Sequence, residues 1–134
     1  MTVHEGGCLC GAVRFRATGT LAPVVNCHCG MCRRFHGAFG AYTRTPRDGF
    51  SLTEQRGLAW YDSSPGIRRG FCRTCGSSLF WEKDAHDALV EIAAGVLDLP
   101  TGLRTEGHIY TAHKGDFYDI TDGLWQRPDG INSV

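Results

Sequence analysis

The arrangement of the cysteines constrains this chain more than any other feature of its sequence. Seven cysteines fall into three close groups, which are Cys8 and Cys10; Cys27, Cys29 and Cys32; and Cys72 and Cys75. Cysteines separated by one or two residues have the spacing of metal ligands. Disulfide pairing would also leave one of the seven thiols over. We therefore predict that the three groups bind metal.

Length, charge and hydropathy narrow the class of protein. A chain of 134 residues fits one domain, residues 1–134, with a core over about 5–126 and a short loose tail from residue 127. Zero formal net charge argues against a nucleic-acid partner. Apolar runs of the ~20 residues that span a bilayer are missing, and charged side chains interrupt the first twenty residues, so neither a membrane segment nor a signal peptide is predicted. We expect a cytoplasmic protein without nucleic-acid or membrane partners, and the oligomeric state stays open.

Short β-rich segments dominate the local patterns. Eighteen glycines and five prolines divide the chain into short pieces, and long amphipathic helical patterns are missing. The predicted strands cover residues 12–18, 38–43, 58–61, 67–71, 78–81, 89–93 and 108–110, and a further strand ends at Asn26. A short helix is predicted over residues 31–36. The fold class is therefore mainly β, built of short antiparallel strands.

The first and third cysteine groups together predict a closed structural site. Cys8 and Cys10 are two residues apart, so their side chains share one face of an extended backbone. Cys72 and Cys75 are followed by Gly76, which allows the tight turn that brings two thiolates to one ion. Four thiolates complete a tetrahedral zinc site, whose binding free energy adds to folding. Two disulfides or buried thiols are the alternative interpretation.

The central group predicts a catalytic metal site, because three thiolates leave one coordination position open. Cys27, Cys29 and Cys32 are the candidate catalytic residues. A divalent zinc ion deprotonates a thiol that binds to it, which suits the addition of a thiol to a carbonyl, or the reverse cleavage of a carbon–sulfur bond. His28 or His36 could instead close the site as a fourth ligand, and an iron–sulfur cluster or a redox pair are further alternatives.

The order C-x-C, C-x-C-x2-C and C-x2-C-G resembles that of a known family. Together with Gly6-Gly7-Cys8-Leu9-Cys10-Gly11-Ala12-Val13-Arg14-Phe15, it closely resembles the glutathione-dependent formaldehyde-activating enzymes, the GFA and CENP-V type domain. The resemblance covers residues 5–126. It includes a second knuckle over residues 71–80 and a C-terminal signature over residues 108–124.

The resemblance implies an Mss4-like fold, a structural zinc on the four cysteines of the first and third groups, and a catalytic zinc on the three central ones. Because a site with an open position is accessible to solvent, we expect the catalytic zinc to be the labile one. It also implies a carbon–sulfur lyase that joins glutathione to formaldehyde, giving S-hydroxymethylglutathione. Such an enzyme takes a small-molecule thiol and an aldehyde as partners. His28, His36 or a water is the candidate acid for the alkoxide that forms.

Recognition of glutathione requires cationic groups, because glutathione carries two carboxylates. Arg33 and Arg34 directly follow Cys32 and are the candidate cofactor-binding residues. If a helix begins there, its N-terminus adds partial positive charge beside the metal. The alternative is that both arginines belong to a solvated charged face.

The competing functional class is a non-catalytic zinc-binding module that binds a protein or handles metal. Fold alone does not separate the two classes. The central group favours the enzyme, because a third cluster without a fourth ligand adds little to a purely structural protein.

Overall fold

The computed structural model describes residues 2–84 and 88–130, and these form a mainly β structure, as predicted. Its strands are β1 (His4–Gly7), β2 (Arg14–Ala17), β3 (Val24–Cys27), β4 (Gly40–Pro46), β5 (Phe50–Glu54), β6 (Leu58–Ser64), β7 (Ile67–Cys72), β8 (Ser78–Lys83), β9 (Leu89–Ala93), β10 (Thr105–Ile109) and β11 (Trp125–Gln126). One α-helix, α1 (Gly30–His36), and three 3-10 turns (Arg47–Gly49, Ala94–Val96 and Thr111–His113) complete these ranges.

The chain divides into two compact units. The first comprises Met1–Ala22 and Thr43–Gly102, and the second comprises Pro23–Tyr42 and Leu103–Val134. Strand β4 begins in the second unit and ends in the first. The expectation of a single domain stays a prediction.

Antiparallel pairing organises the first unit. Strand β2 lies between β1 and β5 in one sheet, and β6, β7, β8 and β9 follow one another as antiparallel neighbours in another. The rings of Phe15, Phe50 and Phe80 pack with centroids 5.5–5.6 Å apart. Phe15 and Phe80 are almost fully buried and contribute to the core of this unit.

A charged cluster lies beside this core. The buried carboxylate of Glu82 accepts from Arg47 Nη1 at 3.1 Å and from Arg68 Nε at 2.8 Å. The guanidinium of Arg68 also lies over the ring of Trp60, 3.9 Å from its centroid. Both oxygens of the buried carboxylate therefore have charged donors, as a buried charge requires.

Parallel pairing distinguishes the second unit from the expectation of antiparallel strands alone. Strand β10 runs parallel to β3 on one side and to β11 on the other, whereas β3 pairs with β4 in the antiparallel sense. A long connection separates β3 from β10, and parallel neighbours need such a crossover. The backbone of Gly107 passes against the ring of Trp125, where a Cβ atom would overlap the indole.

The start of the predicted loose tail is held by backbone hydrogen bonds. The N–H groups of Tyr110 and Thr111 donate to the carbonyls of Asp129 and Arg127 at 2.8 and 3.1 Å, and Arg127 N donates to His108 O at 2.9 Å. Residues 131–134 lie outside the described part of the chain. Among the described residues, backbone hydrogen bonds therefore extend to residue 129, and the core limit at residue 126 stays a prediction.

Among the described residues, no helix combines the length and apolar character needed to cross a membrane.

Candidate functional site

The first and third cysteine groups come together in the first unit. The sulfur atoms of Cys8, Cys10, Cys72 and Cys75 all lie within 4.8 Å of one another. Cys10 Sγ is 3.7 Å from Cys8 Sγ and 3.8 Å from Cys72 Sγ. Zinc–sulfur bonds of about 2.3 Å give a tetrahedron whose edges measure about 3.8 Å. The four thiols are therefore spaced to bind one tetrahedral ion.

Two tight turns build this four-cysteine cluster. In the first, Gly11 N donates to Cys8 O at 3.3 Å, and Val13 N donates to Cys8 Sγ at 3.2 Å. In the second, Gly76 N donates to Cys72 O at 2.7 Å. Gly11 and Gly76 have φ of 84° and 82°, values that favour glycine. Gly76 therefore fills the turn position that the sequence predicts, and Gly11 fills the equivalent position in the first turn.

Nearby donors stabilise negative charge in the second turn. The hydroxyl and backbone N–H of Ser77 lower the pKa of Cys75 to about 5, and Ser77 Oγ lies 3.3 Å from its sulfur. The backbone N–H of Cys75 is the main cause that lowers the pKa of Cys72. Thiolates are the form that binds metal, so these hydrogen bonds favour the metal-binding form of Cys72 and Cys75.

The three central cysteines come together in the second unit. Their sulfur atoms also lie within 4.8 Å of one another. Cys27 ends β3, Cys29 is the N-cap of α1, and Cys32 lies in the first turn of that helix. Cys29 Sγ accepts from Cys32 N at 3.3 Å. The junction between strand and helix thus gathers three thiols at one point.

These central thiols interact strongly with one another. The pKa of Cys27 is raised, first by hydrogen bonding to Cys29, then by hydrogen bonding to Cys32 and by burial. Three thiolates held this close repel one another, and a cation among them removes that repulsion. The chemistry of the donor set therefore fits a divalent metal ion.

The central group contains three ligand residues, and the described parts of the chain add no fourth histidine, cysteine or carboxylate to it. His36, one of the two candidate fourth ligands, has its Nε2 atom 2.7 Å from the hydroxyl of Tyr42. His28, the other, has both ring nitrogens in hydrogen bonds to other residues. The arrangement matches a three-thiolate site with an open position.

His28 belongs to a hydrogen-bonded chain of four side chains that the sequence does not reveal. Its Nδ1 atom pairs with the hydroxyl of Tyr118, and its Nε2 atom lies 2.9 Å from Nδ1 of His108. Nε2 of His108 lies 2.7 Å from Oδ2 of Asp122. His28 and His108 are buried, and they come from β3–α1 and β10. The sequence signal for this network is a histidine between two cysteines, a pattern that predicts a ligand or an acid.

Burial and neighbouring charges keep His28 neutral. Burial is the main cause that lowers the pKa of His28 to about 4, and the neighbouring His108 and Lys114 add to the effect. The ammonium of Lys114 donates to the carbonyl of Tyr118 at 2.6 Å and lies 5.1 Å from its ring centroid. Burial raises the pKa of Tyr118. The residues around His28 therefore favour an uncharged imidazole and an uncharged phenol.

The two candidate arginines occupy a different part of the helix from the one expected. Helix α1 begins at Gly30, close to the predicted start at residue 31, so Arg33 and Arg34 lie in its last turn and the condition that a helix begins at these residues is not met. The reason is that Cys29 caps the helix through the hydrogen bond from Cys32 N. Arg33 is half-buried, Arg34 is exposed, and the charge of Arg33 acts on Tyr118.

Comparison with known proteins links this geometry to a family. The family model described as glutathione-dependent formaldehyde-activating enzyme matches residues 3–113. That range contains all seven cysteines, together with His28 and His108.

Similar proteins include two curated relatives and one solved structure. A Halomonas elongata protein, provisionally named as a glutathione-dependent formaldehyde-activating enzyme, is 31% identical over 130 residues, which cover 87% of this chain and 80% of that protein. An uncharacterized lyase of Schizosaccharomyces pombe is 33% identical over 82 residues, which cover 60% of this chain and 58% of that protein. The crystal structure of a Rhodobacter sphaeroides protein aligns with a TM-score of 0.61 at 22% identity, covering 78% of this chain and 98% of that one. This last likeness shows a common fold.

Proposed function

Since the chain belongs to the family of glutathione-dependent formaldehyde-activating enzymes, we propose that it is a zinc-dependent carbon–sulfur lyase of that type. Its proposed reaction adds a thiol, glutathione or a similar molecule, to a small aldehyde such as formaldehyde. The observation that carries the proposal is the group of three close thiols without a fourth ligand in the described residues. A purely structural metal site would be closed by a fourth ligand.

Cys27, Cys29 and Cys32 would hold the catalytic zinc, which supplies deprotonation of a thiol bound at its open position. In the reaction, the thiol loses its proton and the sulfur electron pair forms a bond to the aldehyde carbon. The carbon–oxygen π pair moves to oxygen, which takes up one proton to give the hydroxymethyl thioether. The reverse sequence breaks the same carbon–sulfur bond.

The structure bears on which of the candidate acids, His28, His36 or water, donates the proton that the alkoxide oxygen takes up. His28 was a candidate acid, but its ring is buried and both nitrogens already take part in hydrogen bonds. Its lowered pKa, about 4, means that it carries no extra proton at neutral pH. Nε2 of His36 lies against the hydroxyl of Tyr42. We therefore favour water as the acid.

We propose that the two arginines that follow the central cysteines bind glutathione. Arg33 and Arg34 bring two positive charges to the helix that carries Cys32, and guanidinium groups pair well with carboxylates. The reduced thiols that the site requires also favour the cytoplasm as the location of the protein.

The test combines metal counting with a rate. Metal per chain is measured by elemental analysis, and conversion of glutathione and formaldehyde into S-hydroxymethylglutathione is followed by exchange NMR. We expect two zinc ions per chain and a faster conversion than in buffer, with both the central zinc and the rate gain lost in Cys29→Ser. Met31→Ala, which changes an exposed side chain on the same helix, is the control.

Full zinc content and full activity in Cys29→Ser would overturn the proposed role of the central group. Two tightly held zinc ions without any acceleration for glutathione and formaldehyde would favour the alternative, a non-catalytic zinc-binding module.

A further inference from the structure

The middle residues of the two C-x-C motifs differ in their exposure to solvent. In the four-cysteine cluster the middle residue is Leu9, whose side chain is 89% exposed. In the central group it is His28, which is 1% exposed and hydrogen-bonded at both ring nitrogens. The same spacing of cysteines therefore carries a solvent-facing side chain in one case and an anchored side chain in the other.

His28 is fixed on several sides at once. Its backbone N–H donates to the carbonyl of Ile109 at 3.0 Å. Its ring contacts Tyr118 and His108 through hydrogen bonds, and the ring of Phe39 packs 5.0 Å from its centroid. Because the residue sits between Cys27 and Cys29, a displacement of its backbone displaces the neighbouring cysteines as well.

The direction of the hydrogen bonds in this chain of four side chains follows from Asp122, the group at its end. Asp122 accepts from the backbone N–H of Leu124 at 3.0 Å, and that hydrogen bond and the one from His108 hold the pKa of its carboxyl below the usual range. An ionised Asp122 can only accept, so Nε2 of His108 donates to it, and in the neutral imidazole Nδ1 is then the acceptor. His28 then donates from Nε2 to His108, and Tyr118 donates its hydroxyl proton to Nδ1 of His28.

In this arrangement the four ring nitrogens of His28 and His108, the hydroxyl of Tyr118 and Oδ2 of Asp122 all have hydrogen-bond partners. Loss of any member leaves a buried acceptor or donor without its partner, which destabilises the arrangement. The hydrogen-bonded chain therefore holds the His28 ring in a single orientation, and with it the backbone between Cys27 and Cys29.

We propose that His28, Tyr118, His108 and Asp122 form a positioning network that holds the central cysteines in their metal-binding arrangement. The inference rests on the proposed function, since it assumes that these cysteines bind an ion. A fourth ligand restrains the geometry of a closed site, and the three-ligand site lacks that restraint. The network supplies it from the protein, which the four-cysteine cluster around Leu9 does not need.

The experiment compares the two metal sites of one molecule. Tyr118→Phe removes one oxygen atom from the network, and His108→Gln removes its middle. Matched controls are Tyr61→Phe, at an exposed tyrosine of the first unit, and Leu9→Ala, at the equivalent position of the other C-x-C motif. Zinc release to a chromophoric chelator gives the affinity of each site, and Co²⁺ substitution gives a d–d absorption spectrum that reports the ligand geometry.

We expect the central site of Tyr118→Phe and His108→Gln to bind zinc about tenfold more weakly or worse, as for other outer-shell partners of metal ligands. The d–d bands of the central Co²⁺ should change, whereas the four-cysteine site and both controls should match the unmodified protein.

Two outcomes separate the failure of this inference from the failure of the proposed function. Equal zinc affinity and an unchanged Co²⁺ spectrum in both network variants would overturn the positioning role alone. Absence of any second metal ion in the unmodified protein would overturn the positioning role together with the proposed function.

Discussion

The hydroxyl of Tyr118 and the Nδ1 atom of His28 form a hydrogen bond between residues ninety positions apart in the sequence. Tyr118 lies in the irregular segment after β10, and His28 lies between two cysteines at the end of β3. The contact therefore ties the C-terminal part of the second unit to the backbone that presents the central thiols.

The chain of hydrogen bonds predicts a definite tautomer for each histidine. At neutral pH, His28 and His108 should both carry their proton on Nε2, because Nδ1 accepts in each ring. NMR of protein labelled with ¹⁵N-histidine distinguishes the two tautomers directly. His113, which is exposed, is the internal reference. An Nδ1–H tautomer at His28 would contradict the direction assigned to the chain.

Loss of a thiol from the four-cysteine cluster should unfold the first unit. Cys72→Ser or Cys75→Ser removes one of the four thiols proposed to bind an ion between two distant turns, and we expect the free energy of unfolding to fall by more than about 4 kcal/mol. Thermal unfolding followed by circular dichroism measures the change. Leu9→Ala is the control: it leaves all four thiols in place and should hardly change the free energy of unfolding. Normal stability of both serine variants would exclude a structural role for the site.

Removal of the buried carboxylate of Glu82 should destabilise the first unit. Glu82→Gln leaves the guanidinium groups of Arg47 and Arg68 without their counter-charge, while Trp60 still packs on Arg68. Both arginines are partly exposed, so water screens part of the loss, and we expect about 1–3 kcal/mol in chemical denaturation.

Glu54→Gln is the matched control for this change, because Glu54 forms an ion pair with Arg56 at the surface. Exposed pairs contribute about 0–1 kcal/mol. Equal effects of the two substitutions would argue against the importance of burial at Glu82.

A methyl group at Gly107 should disturb the pairing of β10 with β11. The Cβ atom of Gly107→Ala would overlap the indole of Trp125, and overpacking of this kind costs about 1–3 kcal/mol. Thermal unfolding measures the loss, and a second change, Trp125→Leu, should recover part of it. Gly95→Ala is the control, since no atom lies within 4 Å of a Cβ there. A stable Gly107→Ala protein would mean that the indole moves aside freely.

Substitution of the two arginines of α1 tests the proposed binding of glutathione. Arg33→Gln removes a half-buried charge that acts on Tyr118, and Arg34→Gln removes an exposed one. We expect Arg33→Gln to weaken glutathione binding about tenfold, the loss of about 1.4 kcal/mol for one charge-assisted contact, and Arg34→Gln to have less effect. Isothermal titration calorimetry gives both affinities. Unchanged glutathione binding in both variants would indicate that the two arginines belong to a solvated charged face.

The spacing of the cysteines was sufficient to predict both clusters, because metal-ligand motifs are local in sequence and each turn brings two thiols together on its own. Strand β9 has the predicted bounds, 89–93, since an apolar run and its flanking turns mark it. Strand β1, whose segment is His4–Gly7, was not predicted because two of its four residues are glycines. Its strand conformation depends on pairing with β2.

The network around His28 could not be predicted in the same way. Its members lie at positions 28, 108, 118 and 122, and only the parallel pairing of β3 with β10 aligns His108 with Asn26, two residues before His28. Tyr118 and Asp122 come from a segment without regular secondary structure. Periodicity carries no information about such contacts, since they depend on tertiary folding.

The order of residues along the chain separates the two clusters in time during synthesis. A ribosome has made all four ligands of the first cluster once Cys75 is incorporated, whereas the partners of His28 emerge only with the segment from His108 to Asp122. A nascent chain that ends before that segment contains every thiol of both clusters but none of the hydrogen-bonding partners of the His28 ring. If the network positions the central cysteines as proposed, the central site therefore matures last, although its own thiols are among the earlier residues to be made.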